Sequence, residues 1–127
     1  MKLLLVEDNP ENWEMLSRRL RNRGYEVLVA EDGRAALDMA IAESPDLILL
    51  DLSLPVVSGW EVAKTLRSDD ATKAIPIIAL TAHALDEDRD QALEAGCHEF
   101  ETKPVNMDRL LEKVRTLTRE PSSVNKR

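Results

Sequence analysis

The stretch Leu47–Gly59, LILLDLSLPVVSG, decides the fold. Leu47–Leu50 is continuously apolar, whereas a strand with one wet face alternates apolar and polar residues. Continuous apolarity marks a short strand buried on both faces, as in a parallel sheet. The run stops on a carboxylate, Asp51. In open parallel sheets ligands and chemistry lie just beyond the carboxyl ends of the strands. Pro55 and Gly59 bracket the loop that follows, and Gly59 is free to adopt a positive φ that other residues resist.

Upstream of this stretch the same pattern recurs. Lys2–Val6 reads as a first buried strand, and it too ends on acids, Glu7 and Asp8. Asn9-Pro10 then opens a helix, with Asn9 as N-cap and Pro10 at the first helical position. Trp13, Leu16 and Leu20 form its apolar face, and Gly24 stops it. Val27 and Val29 mark a second strand. Gly33–Ala42 reads as a helix with Ala36, Leu37, Ala40 and Ile41 on its apolar side, closed before Pro45.

Downstream, a helix from about Ser58 to Arg67 turns Val62, Ala63 and Leu66 inward. Ile75–Leu80 is a fourth strand ending at Thr81. A helix over about Leu85–Ala95 stops at Gly96, and a short strand at Glu99–Glu101 leads to Thr102-Lys103-Pro104. Asn106 caps the last helix, whose stripe is Met107, Leu110, Leu111, Val114 and Leu117. The expected domain spans residues 1–118, and 119–127 read as a polar C-terminal tail. Strict strand–helix alternation predicts an α/β fold: a five-stranded parallel doubly wound sheet, order 2-1-3-4-5, flanked by five helices, flavodoxin-like.

Length and composition narrow the function. The 127 residues fit one domain, 43% hydrophobic and 32% charged, which excludes a disordered chain. A net charge of −7 opposes binding to nucleic acid or anionic membranes. No apolar run approaches the roughly 20 residues of a membrane span. The single cysteine, Cys97, forms no internal disulfide and fits a reducing cytoplasm; in its short turn it reads as a bland thiol. Trp13 and Trp60 read as helix packing.

In such a sheet the tips of strands one, three, four and five converge on one edge. Those tips carry Glu7 and Asp8, then Asp51, then Thr81, then Lys103. Three clustered acids repel one another without a cation, and hard oxygen donors with no nearby His or Cys suit Mg²⁺. A threonine hydroxyl and a mobile lysine charge suit a phosphoryl group beside that metal. The chemistry is phosphoryl transfer to a carboxylate, leaving an acyl phosphate on Asp51.

Glu7-Asp8, Asp51 with Leu54-Pro55-Val56-Val57-Ser58-Gly59, Thr81-Ala82 and Lys103-Pro104 together resemble the receiver domain of two-component response regulators. The likeness covers about residues 1–118 and is nearest to stand-alone receivers of the DivK-like, cell-division-control type. It implies that Asp51 takes the phosphoryl group from a histidine kinase or histidine phosphotransfer protein. It implies Mg²⁺ on Asp8, Asp51 and the Ser53 backbone carbonyl, with Glu7 acting mainly through water. It further implies that Thr81 and Lys103 contact the phosphoryl group and that the Lys103-Pro104 peptide is cis. Phe100 stands where the family usually has a switching Tyr or Phe; it reads equally as a core filler, and any switch here must work by packing alone. His83, two residues past Thr81, is a candidate for shaping water access, against the plainer reading of a loop histidine.

The output expected from this resemblance is contact with a downstream effector protein by a cytoplasmic monomer or weak homodimer. The alternative is a receiver module of a longer regulator. Other classes fit poorly. A flavodoxin-type cofactor site needs a phosphate cradle where Glu7-Asp8 repel phosphate. A P-loop motif is absent. A haloacid-dehalogenase phosphatase wants a second Asp where this chain has Ser53.

Overall fold

Each apolar run of the sequence forms a strand, and each amphipathic stretch forms a helix covering it. In order these are β1 (Lys2–Val6), α1 (Pro10–Asn22), β2 (Glu26–Ala30), α2 (Gly33–Glu43) and β3 (Leu47–Asp51). There follow α3 (Gly59–Ser68), β4 (Ile77–Thr81), α4 (Asp86–Glu94), β5 (Glu99–Thr102) and α5 (Met107–Thr118). The structure, a computed structural model, describes residues 1–54, 57–82 and 86–118, with the backbone alone for 86–89. His83, Pro55, Leu85 and the tail expected over 119–127 lie outside those residues.

The strands are parallel, in the order β2-β1-β3-β4-β5. Side chains alternate across them, so β1 to β4 each feed two cores. Leu4, Val6, Ile48, Leu50, Ile77 and Ala79 pack with Ala36, Ala40, Val62, Leu66 and Ala92 of α2, α3 and α4. Leu3, Leu5, Leu47, Leu49, Ile78 and Leu80 pack with Leu16 and Leu20 of α1 and Leu110, Leu111 and Val114 of α5. Each fully buried Leu or Ile contributes about 1.5–3 kcal/mol, so the central strands anchor the domain.

Polar side chains set the helix starts. Asn9 accepts the Glu11 N–H at 3.0 Å, Asp32 that of Ala35 at 2.8 Å and Asn106 that of Arg109 at 3.0 Å. Ser58 caps α3 through the Glu61 N–H at 3.3 Å, so the helix proper begins at Gly59 and runs to Ser68. Gly24 ends α1 at φ +95°, and Gly96 follows α4 at φ +106°.

Three expectations need correction, and Gly59 leaves its backbone freedom unused. The fourth strand begins at Ile77, not Ile75. Pro76 has no N–H to give the ladder, and the Ile75 N–H is already spent on Thr72 O at 3.0 Å. The fifth runs one residue longer, to Thr102, which pairs with Thr81. Ile41 is 53% exposed. The small Ala36 and Ala40 carry α2 against the sheet, and Ile41 is rotated about 100° from Ala40, toward solvent. Gly59 is not among the positive-φ glycines. It is needed for closeness: a Cβ there would lie 2.5 Å from Leu52 Cα and 2.6 Å from Asp51 O.

Candidate metal and phosphoacceptor site

Parallel register brings the strand ends to one edge. Glu7 leaves β1 with its N–H on Ala30 O at 3.0 Å. Asp51 and Thr81 are the last residues of β3 and β4, each 3% exposed. Lys103 follows β5 with its N–H on Thr81 O at 2.7 Å. The five predicted site residues Glu7, Asp8, Asp51, Thr81 and Lys103 therefore share one edge.

One carboxylate oxygen from each of Glu7, Asp8 and Asp51 lies within 4.8 Å of the others. Glu7 and Asp51 are buried, and Asp8 is exposed at the mouth. Lys103 Nζ donates to Glu7 Oε1 at 2.6 Å and to Asp51 Oδ2 at 3.2 Å. The remaining oxygens are also engaged. Glu7 Oε2 accepts the Asn9 N–H at 3.2 Å, and Asp51 Oδ1 accepts the Ser53 N–H at 2.9 Å. Both buried acids are thus oriented before anything binds.

One lysine does not neutralise this cluster. Burial pushes the Glu7 carboxyl above its usual range and Asp51 pushes the same way, against the Lys103 hydrogen bond. Burial works against the Lys103 charge as well. The Glu7 hydrogen bond and the fields of Asp51 and Glu7 outweigh it and hold the ammonium above its usual pKa. The site retains excess negative charge from hard oxygen donors, a donor set that can hold Mg²⁺. Glu7, Asp8 and Asp51 would hold the ion, and it would supply charge neutralisation for a phosphoryl group.

Ser53 enters through its N–H to Asp51. Pro104 is exposed, and the Lys103-Pro104 peptide is cis as expected. Phe100 is half-buried against the core beneath α2, α3 and α4. Trp60 packs on that same core and Trp13 on the opposite one, as expected of helix packing. Cys97 is buried and its thiol pKa is pushed up to about 12 by burial, so it is inert at neutral pH.

Glu101 was not legible as a special residue. It is 2% exposed, on β5 beneath α5. Arg109 Nε and Nη2 donate to its Oε2 at 2.8 and 2.6 Å, and Lys113 Nζ donates to its Oε1 at 2.8 Å. Lys113 also donates to Phe100 O at 2.7 Å. The strand that precedes Lys103 is therefore tied to α5 by a buried ionic knot. The signal lies in spacing: an acid on the strand with cations eight and twelve residues on, one helical turn apart.

The chain is thus a doubly wound α/β domain with a lysine-bridged acid cluster at the carboxyl edge of its sheet. Comparison with known proteins gives the family: residues 3–115 match the response regulator receiver domain. The chain belongs to this family of two-component signalling proteins. It is 39% identical over 114 residues to the polar-differentiation response regulator DivK of Brucella anthropi, covering 90% of this chain and 93% of that one. Among solved structures it resembles the receiver domain of the sensor histidine kinase PA1611 from Pseudomonas aeruginosa PAO1, which has a magnesium ion coordinated in its active-site cleft. The TM-score is 0.87 at 36% identity, over 94% of this chain and 98% of that one. It also resembles a chain in the co-crystal structure of the Saccharomyces cerevisiae phosphotransfer protein Ypd1 with the receiver domain of Ssk1. That match has TM-score 0.86 at 33% identity, over 93% and 88% of the two chains. No helix among the described residues is long and apolar enough to cross a membrane.

Proposed function

We propose that this receiver is a Mg²⁺-dependent phosphoacceptor, phosphorylated on Asp51 by a histidine kinase or histidine phosphotransfer protein. The observation that carries the reading is Asp51 at the tip of β3, buried, aligned by Ser53 N–H and bridged by Lys103 beside Glu7 and Asp8. Asp51 Oδ attacks phosphorus, the bond from phosphorus to the donor's imidazole nitrogen breaks, and that nitrogen keeps the electron pair. The products are an acyl phosphate and a free histidine. Lys103 pairs with the new phosphoryl oxygens and Thr81 hydrogen-bonds one of them, while the Ser53 carbonyl would join the carboxylates as a protein ligand for Mg²⁺. A receiver so built signals rather than turning over a small substrate.

The output follows from repacking. Movement of Thr81 toward the phosphoryl group vacates space that Phe100 can fill, which changes the face formed by α4, β5 and α5. We assign residues 1–118 to the receiver, acting in the cytoplasm as a monomer or weak homodimer on a downstream effector protein. Intact mass after incubation with acetyl phosphate tests the chemistry. A Mg²⁺-dependent adduct on wild type, labile to hydroxylamine and absent from Asp51→Asn, is the expected result. An equal adduct on Asp51→Asn would overturn it.

A further inference from the structure

We infer that Asn9 is a positioning residue for the metal site, acting through Glu7; the inference rests on the reading of Glu7, Asp8 and Asp51 as Mg²⁺-binding. Glu7 is a buried acid with two oxygens to satisfy. Lys103 holds Oε1, and the only hydrogen bond seen on Oε2 among the described residues comes from the Asn9 N–H at 3.2 Å. That N–H points inward because Asn9 is fixed as the N-cap of α1. Its backbone is extended at φ −87° and ψ 116°, and its Oδ1 holds the Glu11 N–H at 3.0 Å. Its carbonyl accepts the Trp13 N–H at 3.0 Å, and Pro10 locks the next φ.

Asn9 therefore ties together both ends of a short turn, one through its side chain on the Glu11 N–H and the other through its backbone N–H on Glu7. One end is the first turn of α1. The other is the Glu7-Asp8 pair, whose carboxylates must converge with Asp51. Groups that orient ligands without touching the ion govern affinity because they set the geometry that an octahedral cation demands. Releasing Asn9 Oδ1 frees the Asn9 φ and ψ, and with them the donor on Glu7 and the direction of Asp8.

The test is a Mg²⁺ titration followed by tryptophan fluorescence, with thermal unfolding measured in parallel. Three variants separate positioning from stability. Asn9→Gly keeps a residue that caps nearly as well but lacks the side-chain anchor. Asn9→Ser restores a short acceptor. Gly24→Ala strains the far end of the same helix, where glycine has φ +95° and no neighbour within 4 Å. Asn9→Gly is expected to bind Mg²⁺ about tenfold more weakly with little loss of Tm, and Asn9→Ser to recover wild-type affinity. Gly24→Ala is expected to lose Tm and keep its affinity. Wild-type affinity in Asn9→Gly, or equal weakening in Gly24→Ala, overturns the positioning role alone. A wild-type protein that does not respond to Mg²⁺ overturns the metal reading and this inference with it.

Discussion

Lys103 Nζ lies closer to Glu7 Oε1, at 2.6 Å, than to the proposed phosphoacceptor Asp51, at 3.2 Å. The ammonium thus sits between acids whose charge Mg²⁺ would also neutralise. Removing it has opposite consequences for stability and for metal affinity. Lys103→Ala leaves Glu7, Asp8 and Asp51 uncompensated, and the partial exposure of Lys103 limits the cost to about 1–3 kcal/mol. Added Mg²⁺ then restores more stability than it adds to wild type. Loss of a nearby positive charge tightens Mg²⁺ binding by about fivefold, equivalent to about 1 kcal/mol. Melting curves and fluorescence titrations in varied Mg²⁺ check both. A variant whose Tm and Mg²⁺ affinity both fall would contradict the account. The same variant is expected to lose phospho-dependent partner binding, because the phosphoryl group no longer draws β5.

Gly59 carries a different dependence. Its Cα lies against the backbone that holds Asp51, and a methyl would meet Asp51 O at 2.6 Å and Leu52 Cα at 2.5 Å. Backbone atoms on a buried strand end do not rotate away as a flexible side chain does, so α3 or the Asp51 loop must shift. Gly59→Ala is expected to cost about 1–3 kcal/mol by urea unfolding and to slow phosphorylation by acetyl phosphate. Gly24→Ala, strained but remote, is expected to lose stability and keep the phosphorylation rate.

Much of this was written plainly in the chain. Continuous apolar runs ending on Glu7, Asp51 and Thr81 gave the strands and their tips, because burial on both faces leaves no alternation to confuse. What was hidden depended on partners distant in sequence. Glu101 carries no local mark of its burial, because Arg109 and Lys113 are brought over it only by α5. Ile41 reads as core until the small contacts at Ala36 and Ala40 set which way α2 leans. Gly59 reads as a turn glycine because a tight backbone approach leaves no local mark. Pro76 did carry its signal, since a missing N–H delays a strand.

The Glu101 knot makes a prediction in acid. Burial raises the Glu101 carboxyl pKa, and the hydrogen bonds from Arg109 and Lys113 more than reverse this, leaving it below the usual 4.5. A carboxylate with a lowered folded pKa adds stability that is fully present above the unfolded value and is lost as pH falls through the folded one. The wild-type stability curve should therefore drop below about pH 4.5, and Glu101→Gln should show a shallower drop over that window. At pH 7 Glu101→Gln is the less stable protein, because Lys113 loses a charged partner. Urea unfolding across this range reads both effects, and parallel acid limbs would rule the knot out as their source.

His98 governs a separate window. Its Nδ1 accepts the Ile77 N–H at 3.1 Å, and its backbone N–H donates to Ile77 O at 2.7 Å. An imidazole that accepts at Nδ1 is neutral there and carries its proton on Nε2. Protonation would replace an acceptor with a donor facing a donor, at the first residue of β4. Desolvation of the ring and the Arg67 charge both lower the pKa from 6.5. Stability from this contact is thus complete above pH 6.5 and declines as pH falls toward the lower folded value. His98→Asn keeps a short acceptor without a titrating group, so its stability is expected to be flat where wild type begins to decline. Amide exchange at Ile77 reports the same event locally: its protection falls with pH in wild type and holds in the variant. Equal pH dependence of Ile77 exchange in the two proteins would detach the contact from the histidine.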